Sequence, residues 1–255
     1  MRNRETTSAF TLIWERPALE GRPGAAVVEP ARIAAAAMEI ADRESLYAVS
    51  VKRVATKVGV SSDRLQAYLT REDLLDLMLD EAFGEIVLPQ VGVDGADWRS
   101  DLRAIARATK ETARNHPWLR TLAGTRTTCG PNGLRTSESI LAAVAGTGLD
   151  AATMTRMVNT VLSYVYGYVQ LELLEPARNR ADAVTDDERR SHTSQYLLDV
   201  VSRGDYPTLI RVFAEAAQMT ADDSFDVGLE CVLDGIAARI ATVAAERSSV
   251  EVTTG

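Results

Sequence analysis

The chain has 255 residues, of which 46% are hydrophobic, 25% charged and 5% aromatic, and its formal net charge is −8. This composition supports a packed core in one large or two modest domains. No run approaches the roughly 18 apolar residues of a membrane span, and the beginning of the chain does not resemble a signal peptide, so we expect a cytoplasmic protein without a membrane partner. Two distant cysteines, Cys129 and Cys231, suggest neither a disulfide framework nor a metal site.

Residues 1–28 are of mixed composition and contain Pro17, Gly21, Pro23 and Gly24, which predicts a flexible amino-terminal arm. Arg2 and Arg4 could contact DNA, but a frayed terminus is the better explanation of this segment. The first helix is predicted at Pro30–Arg43, because proline suits the first helical position and apolar residues then recur at helical spacing.

The next segment predicts two short helices joined by a tight turn. Ser50 can cap a helix over Val51–Val58, and Gly59 can end it in the left-handed conformation. Ser61 or Ser62 can then cap a third helix with Leu65 and Leu69 as its buried positions. This is the pattern of a helix-turn-helix, which places its second helix in the DNA major groove.

Charge supports this interpretation of the turn. Residues 51–71 contain one acid, Asp63, and five basic residues: Lys52, Arg53, Lys57, Arg64 and Arg71. A basic patch on an acidic chain is typical of a phosphate-binding face. The alternative is a helical hairpin that does not bind DNA.

A fourth helix is predicted from Arg71, with Thr70 and Asp73 at capping-box spacing. A linker rich in proline and glycine follows at residues 88–96, and everything beyond it again reads as helix. The predicted helices cover residues 98–115, 117–123, 134–145, 150–175, 191–203, 206–218 and 225–246, with a polar loop at 178–187. The predicted fold is therefore all-α: a helix-turn-helix domain of three to four helices at 29–85, then a larger helical bundle at 97–246.

Two of these helices are apolar around most of their circumference, residues 150–175 and residues 225–240. Such a helix is buried on all sides. This indicates either the centre of a bundle or an interface between subunits.

Several segments resemble the tetracycline-repressor (TetR) family of transcription regulators. In the amino-terminal half they are Leu12–Pro17, Arg53–Ala55, Gly59–Val60 and Arg71–Leu75. In the remainder they are Asn115–Trp118, Gly130–Asn132, Gly146–Leu149 and Phe225–Ile236. The resemblance implies a homodimer that binds a double-stranded DNA operator and a small-molecule effector, with the two apolar helices forming the dimer interface.

The resemblance also assigns residues. Ser62, Asp63, Arg64, Gln66 and Ala67 are expected to face the groove, and Lys52, Arg53, Ser61, Tyr68 and Arg71 to hold phosphates. Gln66 departs from the family, which usually has tyrosine at this place, and this indicates an altered operator preference. The effector pocket is expected to be lined by Trp118, Leu122, Arg126, Ile140, Val158, Asn159, Leu162 and Tyr166.

No cofactor or metal is expected. The tetracycline repressor has a metal-binding histidine where this chain has Leu122, so a magnesium–tetracycline effector is not expected. His116 is interpreted as structural. A helical ligand-binding or scaffold protein that has lost operator recognition is the alternative function, and an enzyme would lack every catalytic motif we can recognise.

Overall fold

The computed structural model describes residues 11–16, 28–87, 97–127, 129–182, 185–201, 206–215 and 221–254. Every regular element in these ranges is a helix. They are α1 (Pro30–Arg43), α2 (Val51–Val58), α3 (Ser62–Tyr68), α4 (Arg71–Gly84), α5 (Trp98–Asn115), α6 (Leu119–Ala123), α7 (Pro131–Ala145), α8 (Ala151–Asp182), α9 (Asp186–Val201), α10 (Pro207–Glu215) and α11 (Ala221–Thr254), with 3-10 turns at Ile13–Glu15 and Leu46–Ala48.

The predicted starts of α1, α2, α4 and α8 agree with the structure to within one residue, and local chemistry explains each. Pro30 is the first residue of α1, and Ser50 accepts from the Arg53 amide at the start of α2. Thr70 and Asp73 form the predicted capping box of α4. Asp150 caps α8 by accepting from the Thr153 amide at 3.0 Å. Ser50, Thr70 and Asp150 each accept from an unpaired amide of a first helical turn, and Pro30 has no amide that would need a partner.

Four predictions about the backbone are corrected. The loop expected at 178–187 is wrong for its first part, because α8 continues through Pro176 to Asp182. Proline removes one hydrogen bond, but the alanines and arginines after it are strong helix formers. Helix α11 is longer than expected, α9 begins earlier and α7 begins at Pro131. The predicted linker at 88–96 lies outside the described residues.

The predicted flexible arm is also corrected over residues 11–16. Here Ile13 is buried within a 3-10 turn, and Arg16 pairs with Asp73 at 2.9 Å. One buried apolar side chain and one partly buried ion pair hold residues 11–16 in place, and the composition of the segment indicates neither. Arg2 and Arg4 lie outside the described residues.

The chain divides into two compact units. The first contains residues 1–88 and 111–139, and the second contains residues 89–110 and 140–255. The sequence-based division at residues 88–96 instead assigned all residues from 97 onward to the second part. The chain therefore returns to the first unit within the last part of α5, at Glu111, which the sequence analysis did not predict.

Each unit has its own apolar core. In the first, α1 packs on α4, and fully buried side chains include Ile33, Val54, Leu65, Leu74, Met78 and Leu119. In the second, α8 packs on α11, and fully buried side chains include Leu102, Ile105, Val165, Val169, Phe225, Leu229 and Leu233. Within the described residues, no helix is sufficiently long and apolar to traverse a lipid bilayer.

Candidate nucleic-acid interface

Helices α2 and α3 form the tight pair that the sequence predicts. Gly59 has φ of 79° and ends α2 in the left-handed region, where a side chain would be strained. The Val60 amide donates to the Ala55 carbonyl at 3.0 Å and closes the turn. Ala55 is 1% exposed, and its small side chain permits the two helices to approach. The turn therefore fixes the direction in which α3 leaves α2.

One side of α3 is anchored and the other is open. Leu65 is fully buried and is the only buried residue within this seven-residue helix, while Leu69 just beyond it is 2% exposed. The predicted groove-facing residues lie on the other side: Asp63, Gln66 and Ala67 are exposed, and Ser62 and Arg64 are half-buried. Ser61, a predicted phosphate contact, is exposed at the amino-terminal cap of α3.

Gln66 makes a local contact on this open face. Its amide nitrogen donates to the Ser62 hydroxyl at 2.9 Å, one turn earlier in α3. Two predicted base-reading residues are thus bonded to each other. A base edge that paired with Gln66 would compete with this internal hydrogen bond.

The predicted phosphate contacts have different surroundings. Lys52 and Arg71 are exposed, and the Arg71 guanidinium donates to the Leu46 carbonyl at 3.4 Å. Arg53 is bound bidentately by Glu44, with one bond of 2.7 Å. This hydrogen bond holds the pKa of the Glu44 carboxyl below its usual range and raises the pKa of Arg53. Arg53 therefore carries its own counterion, which sequence reasoning missed.

Tyr68 differs from its prediction. Its hydroxyl is buried and makes no hydrogen bond in the structure. Burial accordingly raises the pKa of Tyr68. The ring packs inward at the end of α3, so this geometry does not present the hydroxyl to a phosphate.

Both helices of the pair have their last carbonyls held by an arginine from elsewhere in the first unit. Arg32 on α1 donates to the Val58 carbonyl at 3.2 Å, and Arg16 donates to the Tyr68 carbonyl at 2.8 Å. A cation at a helix carboxyl terminus satisfies unpaired acceptors and interacts favourably with the helix dipole. Residues 11–16 therefore help to hold the carboxyl-terminal end of α3 through Arg16.

A second polar cluster in the first unit is centred on His116, which is 8% exposed. Its Nδ1 lies 2.9 Å from Asp42 on α1, and its Nε2 lies 2.7 Å from Glu85 just after α4. Trp118 Nε1 donates to the same Asp42 carboxylate at 2.6 Å. Burial favours the neutral imidazole, but the two carboxylates outweigh it and raise the pKa of His116. The structural interpretation of His116 agrees with these contacts.

The residues predicted to line one effector pocket fall in both compact units. Trp118, Leu122 and Arg126 belong to the first unit, and Ile140, Val158, Asn159, Leu162 and Tyr166 belong to the second. Four of them are buried, namely Trp118, Leu122, Ile140 and Val158. Burial raises the pKa of Tyr166 to about 12. Asn159 is on the exposed side of α8. Their role as one pocket stays a prediction.

Arg126 departs from its predicted role as a ligand contact. Its Nε donates to Asp76 at 2.7 Å, and its two terminal nitrogens donate to Glu72 at 2.7 and 2.9 Å. The side chain is only 15% exposed. The guanidinium is therefore occupied by carboxylates of α4, where it fixes the segment after α6.

Comparisons with known proteins bear on the family and the fold of the chain. Residues 89–240 match the family model described as the tetracyclin repressor-like carboxyl-terminal domain. An HTH-type transcriptional regulator of Saccharopolyspora erythraea is 32% identical over 228 residues, which is 89% of this chain and 91% of that protein. The HTH-type transcriptional repressor DrrR1 of Streptomyces coeruleorubidus is 30% identical over 234 residues, covering 90% and 85% of the two chains.

Among solved structures, ActR of Streptomyces coelicolor in complex with actinorhodin shares this all-α fold. The TM-score is 0.69 at 22% identity, covering 83% of this chain and 96% of ActR. The fold class predicted from the sequence is confirmed.

Proposed function

The chain belongs to the tetracycline-repressor family of helix-turn-helix transcriptional regulators, and from this premise we propose that it is a homodimeric repressor of a palindromic operator. A small molecule bound in the carboxyl-terminal bundle releases it from DNA. Helix α3 reads the major groove through Ser62, Asp63, Arg64, Gln66 and Ala67. Lys52, Arg53, Ser61 and Arg71 hold phosphates beside it.

The observation that carries the DNA-binding part is the asymmetry of α3. Leu65 and Leu69 anchor one side, while the opposite side is open and flanked by the exposed basic residues Lys52 and Arg71. A helix held in this way is rigid enough to enter a groove, and the basic flank supplies the phosphate contacts.

Dimerisation is supported by the surfaces of α8 and α11. Each helix has an exposed stripe of mostly small, uncharged residues at four-residue intervals: Asn159, Ser163 and Gly167 on α8, and Val227, Cys231 and Gly235 on α11. Small residues allow helices of two copies to approach closely. Such a dimer would present two α3 helices one helical turn apart, roughly 34–36 Å, as a palindrome requires.

Effector control is supported by the relatives. ActR, which shares the fold, is known in complex with actinorhodin. A ligand that binds the releasing conformer more tightly shifts the equilibrium toward it, and about 1–3 kcal/mol of coupling is typical. The cytoplasm, where the operator lies, is the compartment that this function requires.

The alternative is a helical ligand-binding or scaffold protein that has lost operator recognition. The hydrogen bond between Gln66 and Ser62 favours it, because a base-reading amide is already satisfied within α3. Operator binding separates the two functions.

The test is fluorescence anisotropy with a duplex from the region upstream of the protein's own gene, against a random duplex of equal length. A dimeric repressor prefers the upstream duplex by about 10³-fold or more. Replacing Arg64 and Gln66 by alanine should abolish this preference. Equal affinity of the wild type for both duplexes would reject the repressor and leave the alternative.

A further inference from the structure

The segment Thr11–Arg16 reaches the end of α3, the recognition helix of the proposed function. Ile13 is 3% exposed, so an apolar side chain fixes the segment to the first unit. The segment is also closed on itself, because the Leu12 amide donates to the Glu15 carboxylate at 3.1 Å. A short turn with its own hydrogen bonds holds the following residue, Arg16, in a defined direction.

Three of the four side-chain hydrogen bonds of Arg16 reach the junction between α3 and α4, and the fourth stays within the segment. One terminal nitrogen donates to the Tyr68 carbonyl at 2.8 Å and to Asp73 at 2.9 Å. The other donates to Asp73 at 3.0 Å and to the Thr11 carbonyl at 2.9 Å. A bidentate arginine–carboxylate pair is among the strongest and most directional polar contacts in proteins.

Asp73 joins this arginine to the start of α4. Its carboxylate also accepts from the Thr70 amide and hydroxyl, both at 2.8 Å. Burial tends to raise the pKa of this carboxyl, but the bonds from Thr70 and Arg16 outweigh it and the pKa is lowered. Asp73 is therefore a charged anchor, only 7% exposed, to which Arg16 ties the last carbonyl of α3.

The recognition helix depends on such outside contacts. It has seven residues, with Leu65 as its one buried residue. An isolated helix of this length does not persist in water, so contacts with the rest of the first unit hold α3 in place. Gly59 fixes its beginning, and Leu69 together with Arg16 fixes its end.

We propose that Thr11–Arg16 is a strap that positions the recognition helix, with Arg16 as a positioning residue that sets operator affinity without touching DNA. This inference rests on the proposed operator-binding function. The strap would give residues 11–16 an indirect role in discriminating DNA sequences, because the side chains that read bases lie on α3.

The test compares Arg16→Gln and Arg16→Lys with Arg43→Gln in the full chain. Arg43 is an exposed residue of α1 that pairs with Glu39, so its replacement removes the same charge without removing a bond to α3. Anisotropy is measured with the upstream duplex and with a random duplex at several salt concentrations. Hydrogen exchange of the amides in α1 and α3 is measured without DNA.

The strap predicts a selective effect. Arg16→Gln should lose about tenfold in affinity for the upstream duplex. Its binding to the random duplex and the salt dependence of that binding should be unchanged, and exchange should accelerate in residues 62–69 but not in α1. Arg16→Lys should be intermediate, and Arg43→Gln should behave as the wild type.

Three results would overturn the strap. Unchanged operator affinity and exchange in Arg16→Gln would show that Arg16 is dispensable. Equal losses on both duplexes, with a salt slope lowered by about one unit, would show a direct phosphate contact. Faster exchange throughout α1 as well would show general destabilisation. If the wild type does not prefer the upstream duplex, the proposed function fails, while the exchange comparison still decides whether Arg16 positions α3.

Discussion

The Nε2 atom of His116 lies 2.7 Å from the Glu85 carboxylate, and the other ring nitrogen meets Asp42. A neutral imidazole donates from only one nitrogen, so this bridge is complete only when the ring is protonated. The cluster thereby links α1, the end of α4 and the turn before α6 within the first unit.

The first prediction concerns pH. In the folded chain, despite burial, Asp42 and Glu85 raise the pKa of His116 above the ordinary histidine value of 6.5. Its contribution to stability is therefore full below pH 6.5 and is lost as pH rises through the folded pKa. The free energy of unfolding, from urea titrations between pH 5.5 and 9, should fall over that window.

The control for this pH effect is His116→Gln, which keeps one donor and does not titrate. It should be less stable than the wild type at pH 5.5 and should lack the histidine-dependent slope. An identical slope in the variant would contradict the prediction.

The second prediction concerns Gly59. A Cβ at this position would have no neighbour within 4 Å, but φ is 79°. Gly59→Ala should therefore cost about 1–2 kcal/mol through backbone strain alone. Urea unfolding measures it. Gly124→Ala is the matched control, since Gly124 has φ of −83° and its Cβ would meet only Arg120 O at 3.5 Å.

The third prediction concerns the counterion of Arg53. Glu44→Gln should release this guanidinium for phosphate and remove a negative charge, so DNA affinity should rise a few-fold at low salt and become more salt-dependent. Anisotropy at several salt concentrations checks it. Glu111→Gln removes an equivalent exposed charge on α5 and should have little effect. Weaker binding by Glu44→Gln would indicate that the carboxylate orients Arg53 productively.

The fourth prediction concerns the exposed stripe of α11. Within one chain, a Cβ at Gly235 would have no neighbour within 4 Å. Gly235→Leu should thus leave the fold of the chain intact and prevent close packing of two copies. Sedimentation equilibrium at micromolar concentration should show a monomer, whereas the wild type and Gly124→Leu should be dimers. A dimeric Gly235→Leu variant would place the interface elsewhere.

Local chemistry is what made the amino-terminal elements predictable. Gly59 at the turn and Thr70 with Asp73 at the start of α4 act within a few residues of themselves, so spacing alone identifies them. The apolar period equally identified Leu65 and Leu69 as anchors.

Long-range pairing was not predictable in the same way. Arg16 and Asp73 are 57 positions apart, and His116 and Asp42 are 74 apart. Nothing in either segment specifies its partner, because such pairs form only after the helices pack. For the same reason Arg53 and Arg126 looked free, although Glu44, Glu72 and Asp76 hold them. The assignment of Tyr68 as a phosphate contact came from family resemblance, which does not reveal that its hydroxyl is buried.

The return of residues 111–139 to the first unit limits how this protein can be cut or recombined. A fragment ending at residue 88 would keep α2 and α3, but Asp42 would lose its hydrogen bonds with His116 and Trp118. The buried Asp80 carboxylate would lose the 2.8 Å hydrogen bond that it accepts from the Gly133 amide. Transferring α2 and α3 with their supporting helices to another protein therefore requires residues 111–139 as well. A chimaera joined at a single point near residue 88 would leave Asp42 and Asp80 without these partners.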